Sequence, residues 1–140
     1  MINGRVLTIV GCVAIVGLVL WAWPDQHEAE SAVIPTTLIA PNGTLWWHGD
    51  VYLTEATPLA ALYEASRQAG LVVEVASYGG VGDCASVYVT KIGGVGPDGS
   101  LGWVYDVRNS PTDSWHAPPI SADCMRLQDG DFVRWRWGTE

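Results

Sequence analysis

A chain of 140 residues that opens on an apolar run leaves room for one modest core and no second lobe. Lys and Arg number 7 against 15 Asp and Glu, a formal charge of −8, which excludes an extended phosphate-tracking surface for nucleic acid. The same balance favours solubility and repels anionic lipid headgroups, but it names no partner.

The first element is Val6 to Trp23, VLTIVGCVAIVGLVLWAW, 18 residues without a charge. As a helix they reach roughly 27 Å, just short of a hydrocarbon core of roughly 30 Å, with Trp21 and Trp23 at the far interface. Arg5 and the terminal amine stand on one side and Asp25, Glu28 and Glu30 on the other. The positive-inside rule then puts the short N-terminus in the cytoplasm and everything after Pro24 outside. The alternative is a cleaved signal peptide and a secreted chain. Trp21-Ala22-Trp23-Pro24 is a poor cleavage sequence and Ala29-Glu30-Ser31 lies late, so residues 1–23 read as an uncleaved single-pass anchor in the cell membrane. Cys12 sits too early in the run for lipoprotein processing and reads as part of the membrane helix. Pro24 to Gly43, PDQHEAESAVIPTTLIAPNG, has two further prolines, three acids and no sustained period, so residues 24–43 read as an extracytoplasmic tether.

Residues 44–140 read as the folded domain. Leu45 to Leu53 is aromatic and β-branched, a strand. One helix follows: Thr57 is a good N-cap, Pro58 suits the first helical position, and Gly70 marks the exit. Leu59, Leu62, Tyr63, Ser66 and Ala69 are expected on its buried face. Leu71 to Tyr78, Ala85 to Ile92, Gly102 to Val107 and Phe132 to Trp137 read as further strands. In the last, Val133, Trp135 and Trp137 share one face and Phe132, Arg134 and Arg136 the other, and burial of the aromatic set places it against the helix. Asp129-Gly130-Asp131 makes the turn before it, with Gly130 open to positive φ and the acids bonding nearby amides. The sum is an α+β domain, a mixed sheet packed on one helix, and the order β-α-β-β-β suits a β-grasp-like topology behind an N-terminal transmembrane helix.

Thr57-Pro58-Leu59 opening a helix, Tyr78-Gly79-Gly80, Val89-Thr90-Lys91-Ile92-Gly93-Gly94-Val95, Gly102-Trp103-Val104-Tyr105-Asp106-Val107 and Asp129-Gly130-Asp131-Phe132-Val133-Arg134-Trp135 occur in one order along the chain. Together they resemble the transcobalamin-like C-terminal domain, a bacterial and archaeal family similar to the small β-domain of transcobalamin and intrinsic factor. The likeness spans about Val51 to Gly138. It departs at Arg108-Asn109-Ser110, where the family tends to have Asn-Gly after the strand. The resemblance implies a domain that covers one face of cobalamin while a separate helical barrel holds the other. No barrel is read in this sequence, so a cobalamin-type ligand is carried only as what the resemblance implies, and no cofactor is assigned.

Cys84 and Cys124 both lie in the outer portion and are expected to form a structural disulfide closing a loop of 41 residues, since neither sits in a Cys-x-x-Cys spacing or beside an evident activating base. His27, His48 and His116 stand apart, with no metal-ligand spacing and no nucleophile motif, so no metal and no catalytic residue is assigned. Gly93 to Gly99 is glycine-rich but opens no helix, which makes it a wide turn. Binding is therefore expected in place of catalysis: capture of a small molecule or glycan on Trp46, Trp47, Trp103 and Trp115, tryptophans that a small core would not require. The alternative is a protein-interaction or structural envelope module using the same aromatics as anchors.

Overall fold

A computed structural model describes residues 30–79 and 84–139. Among them are six strands and one helix: β1 (Ala32–Ile39), β2 (Leu45–Leu53), α1 (Pro58–Ala69), β3 (Val73–Ser77), β4 (Val87–Ile92), β5 (Gly102–Arg108) and β6 (Phe132–Gly138). The expected α+β class, a mixed sheet with one helix, is what the structure has. The apolar run 6–23, with Cys12, lies outside the described residues, as does His27. Among the described residues no helix is long and apolar enough to cross a membrane.

The sequence-based tether is corrected within residues 32–39, which form a central strand. The four-stranded sheet runs β2-β1-β6-β5, with β1 antiparallel to β2, β5 antiparallel to β6, and β1 parallel to β6. Ile34, Thr36 and Leu38 alternate into the interior and are fully buried. Two features hide this strand from pattern reading: a buried threonine, and Pro35, which would be expected to break a central ladder. The N–H and carbonyl of Val33 are taken by Asp129 Oδ1 (2.7 Å) and the Gly130 amide (2.9 Å). By the two-residue alternation of strands, the missing N–H of Pro35 also faces the β6 side. It falls just ahead of Thr36, where the β1–β6 ladder begins, so it costs no bond to β2. The Asp-Gly-Asp turn is thus more than local: Asp131 Oδ2 accepts from the Gln128 amide (2.8 Å), while Asp129 ties the turn to the start of β1.

Helix α1 has the expected punctuation. Thr57 Oγ1 accepts from the Ala60 amide (3.1 Å), and Gly70 leaves the helix at φ +71°, its amide directed to the Arg67 and Ser66 carbonyls. A threonine cap of this kind contributes about 1 kcal/mol. The buried face differs from the expected one: it is Pro58, Leu59, Ala61, Leu62, Ala65 and Ser66, whereas Tyr63 is exposed and Ala69 half-buried. Ala61 and Ala65 are fully buried, and small side chains at these positions allow close packing of helix on sheet.

Strand β6 binds the two layers together. Val133 and Trp135 are buried beneath α1, and Trp135 Nε1 donates to the Pro58 carbonyl at 3.1 Å in the first turn of the helix. Trp137 is half-buried and packs edge-on against Trp103, ring centroids 5.4 Å apart. Arg134 and Arg136 point to the opposite face, as the alternation requires. A separate two-stranded antiparallel sheet, β3-β4, stands beside β5. Its Val89 and Ile92 complete the core.

Candidate binding groove

Strands β4 and β5 are edges of different sheets, and no ladder joins them. The chain after β5 explains the gap. His116 pairs with Val107 on the outer edge of β5, donating at 3.1 Å and accepting at 2.9 Å. Ala117-Pro118-Pro119 follows, and two prolines have no N–H with which to extend the pairing. The segment leaves the strand edge and returns to the helix, where the Ala122 carbonyl accepts from the Leu59 amide at 3.0 Å. What remains between β4, β5 and residues 117–122 is a groove of about 400 Å³. That volume lies within the range of small-molecule pockets.

The walls are pinned by polar contacts at one end. Tyr105 donates its hydroxyl to the Ile120 carbonyl. Ser121 Oγ reaches the Val87 carbonyl (2.9 Å) and also bonds Asp123 Oδ1. The Asp123 carboxylate accepts from the amides of Ala85 (2.7 Å) and Val87 (3.0 Å), clasping the start of β4 to the 121–125 turn. Burial works to raise the pKa of Asp123, but the Ser121 hydroxyl and the Val87 and Ala85 amides outweigh it and hold the carboxyl below its ordinary value. The Cys84–Cys124 disulfide expected from sequence is present and closes the same clasp, Cα atoms 5.3 Å apart. Cys84, Cys124 and Asp123 lie together as a metal site would, but the two sulfurs are bonded to each other and present no thiolate.

The lining is aromatic and neutral. Tyr78 and Tyr88 stack at one rim with centroids 4.4 Å apart and planes 22° from parallel. Tyr78 is 74% exposed, and across the groove Ile120 is 47% exposed, so both rims present apolar surface to solvent. Trp103 and Tyr105 lie deeper, with Val89 and Trp135 behind them. Among the described lining residues none is Asp, Glu, Lys, Arg or His, in a protein of charge −8. Lining of this composition suits an uncharged ligand.

Of the four tryptophans expected at the site, the structure brings Trp46 and Trp103 together and sets Trp115 apart from them. Trp103 is buried, donates its Nε1 hydrogen to the Val95 carbonyl at 2.8 Å, and lines the groove. Trp46 packs on Trp103 at 5.6 Å but does not line the groove. Trp47 lies over Gly49, where a Cβ would come within 2.8 Å of the ring. Trp115 is on the far face of the sheet, stacked on Arg108 and Arg134. A register shift at Leu38/Ile39 pairs Leu38 with Trp47 and Ile39 with Leu45, and both Trp46 and Trp47 pack against the core. The rim tyrosines and Ile120 were missed. Tyr88 carried a readable signal, since alternation in VYVTKI sets it opposite buried Val89.

His48 lies on the far face with Nδ1 2.9 Å from Thr37 Oγ1, and His116 contributes its backbone to β5. No protein-family model matches the chain, and no curated protein matches its sequence.

Proposed function

We propose that this chain is a membrane-anchored, extracytoplasmic binding module, and that it takes an uncharged small molecule or a neutral glycan in the groove between β4 and β5. The observation that carries the reading is the groove itself: a neutral, aromatic-walled cleft with exposed tyrosine and isoleucine rims. Sugar rings and flat apolar ligands both stack on such walls. The domain is β-grasp-like: a β1–β2 hairpin leads into the helix, and the last strand lies parallel to the first in the middle of the sheet. That arrangement agrees with the resemblance to the transcobalamin-like C-terminal domain, whose implied cobalamin-type ligand belongs among the candidates. The disulfide supports an oxidising compartment outside the cytoplasm, and the anchor is the apolar run 6–23.

Trp103 and Trp135 line the groove, so intrinsic fluorescence reports on its occupant. A titration against cobalamin and neutral cell-wall glycan fragments is expected to give a saturable change with at least one ligand. Tyr88→Ala, which removes one ring of the rim stack, is expected to weaken that binding about ten-fold while leaving the melting temperature nearly unchanged. A flat response across the panel would sink the reading.

A further inference from the structure

The sheet face turned away from α1 carries a cluster unrelated to the groove. Strand register sets His48, Thr37, Arg134 and Asp106 in one row across β2, β1, β6 and β5. Arg136 stands two residues along β6 from Arg134, and Arg108 two residues along β5 from Asp106, both on this same face. Three of the chain's 7 basic residues therefore gather here in a protein of net charge −8.

Their acceptors are few. The Asp106 side chain, 3% exposed, accepts from Arg134 Nε (2.6 Å), Arg136 Nε (2.7 Å) and Arg136 Nη2 (3.1 Å). Arg136 Nη1 donates to the Thr139 carbonyl at 3.1 Å. Burial works to raise the Asp106 pKa, but the two arginines outweigh it, and the carboxyl stays ionised below its ordinary range. Asp131, beside β6, is occupied by Asn109 Nδ2 and the Gln128 amide, and Asp50 lies on β2 at the opposite edge of the sheet. Among the described residues, Arg108 pairs with no carboxylate, its Nε is buried without a hydrogen-bond partner, and the amino nitrogens of Arg134 have no protein acceptor.

The guanidiniums lie against aromatic rings. Arg108 lies 4.4 Å from the Trp115 ring centroid and 4.9 Å from that of Phe132, and Arg134 lies 4.7 Å from Trp115. These contacts hold the two guanidiniums against one ring, and since Arg108 Nε is buried and Arg134 Nε is given to Asp106, their amino nitrogens are what remains for a ligand. A guanidinium fixed in this way forfeits little side-chain freedom on binding, which is the condition for a built oxyanion site. Next to Arg134 in the row is the Thr37 hydroxyl, bonded to His48 Nδ1.

We infer that this face is a binding site for a phosphate or sulfate group, gripped by the amino nitrogens of Arg108 and Arg134 around Trp115 and flanked by Thr37. The site is independent of the groove on the other side of β5. It also differs from the surfaces that net charge excludes, because it takes a single oxyanion and not a polyanionic strand.

The test is calorimetric titration of the full chain in detergent with inorganic phosphate, sulfate and glucose 6-phosphate, at constant ionic strength with chloride as the reference. Saturable binding of at least one is expected. Arg134→Gln and Arg108→Gln should each weaken it about ten-fold or more, the loss of a charged hydrogen-bonding partner. Arg108→Gln leaves the Asp106 pairs intact and guards against a folding artefact in the other variant. Arg67→Gln on α1 and Tyr88→Ala in the groove should bind as the parent does. A tighter response to glucose 6-phosphate identifies an ester as the ligand; a tighter response to the inorganic ions identifies the free anion. No saturable heat beyond chloride, or parental affinity in both face variants, would overturn the assignment.

Discussion

Trp135→Ala is expected to destabilise the domain by about 3–5 kcal/mol, the range for truncating a large aromatic in a packed core. The residue is 2% exposed, packs on Tyr105 at 5.4 Å and sits at the centre of the sheet under α1. Its Nε1 also supplies the bond to the Pro58 carbonyl, so the substitution removes volume and loosens the start of the helix together. A domain of this size shifts its melting temperature by several degrees per kcal/mol, which makes the effect easy to read in thermal or urea melts. Trp137→Ala, at a half-buried position nearer the rim, should cost clearly less. Equal losses from the two substitutions would contradict the placement of β6.

Reducing the disulfide, or replacing both cysteines with serine, is expected to cost about 2–4 kcal/mol. The upper figure is the chain-entropy value for a loop of this length, and residual structure in the reduced unfolded chain lowers it. Cys84 and Cys124 are 40 positions apart and join the lead-in to β4 to the turn that carries Asp123. Without the bridge, the hydrogen bonds of Asp123 and Ser121 still tie β4 to that turn. Melts with and without reductant measure the loss, and an unchanged midpoint would show that the clasp is redundant. Because the same turn walls the groove, ligand affinity should fall alongside stability.

What could be read from sequence follows the range of the interactions involved. The ends of α1 were legible because Thr57, Pro58 and Gly70 act on their own backbone within one turn. The alternation of β6 was legible because period-2 side-chain facing is local to the strand. β1 was not: its pairing with β6 joins residues nearly a hundred positions apart, as the Val33–Asp129 bond shows, and Pro35 and Thr36 dilute its apolar signal. The cysteine pairing was reachable by counting, since only two cysteines lie beyond the apolar run. The groove was out of reach, because it exists where Pro118 and Pro119 stop an edge pairing that sequence does not reveal. The placement of the other tryptophans was out of reach for a related reason. A strand irregularity and one open glycine position turn Trp46 and Trp47 inward, while Trp115 is claimed by arginines from two other strands.

Amide-resolved NMR with isotopically labelled protein, titrated with the neutral ligand that gives the strongest fluorescence response, bears most directly on the function argued here. Saturable shifts are expected at Tyr88, Val89, Val104, Ala117 and Ser121, while Thr37 and Arg134 on the far face stay in place. Shifts confined to that far face, or a response that never saturates at the groove positions, would contradict it.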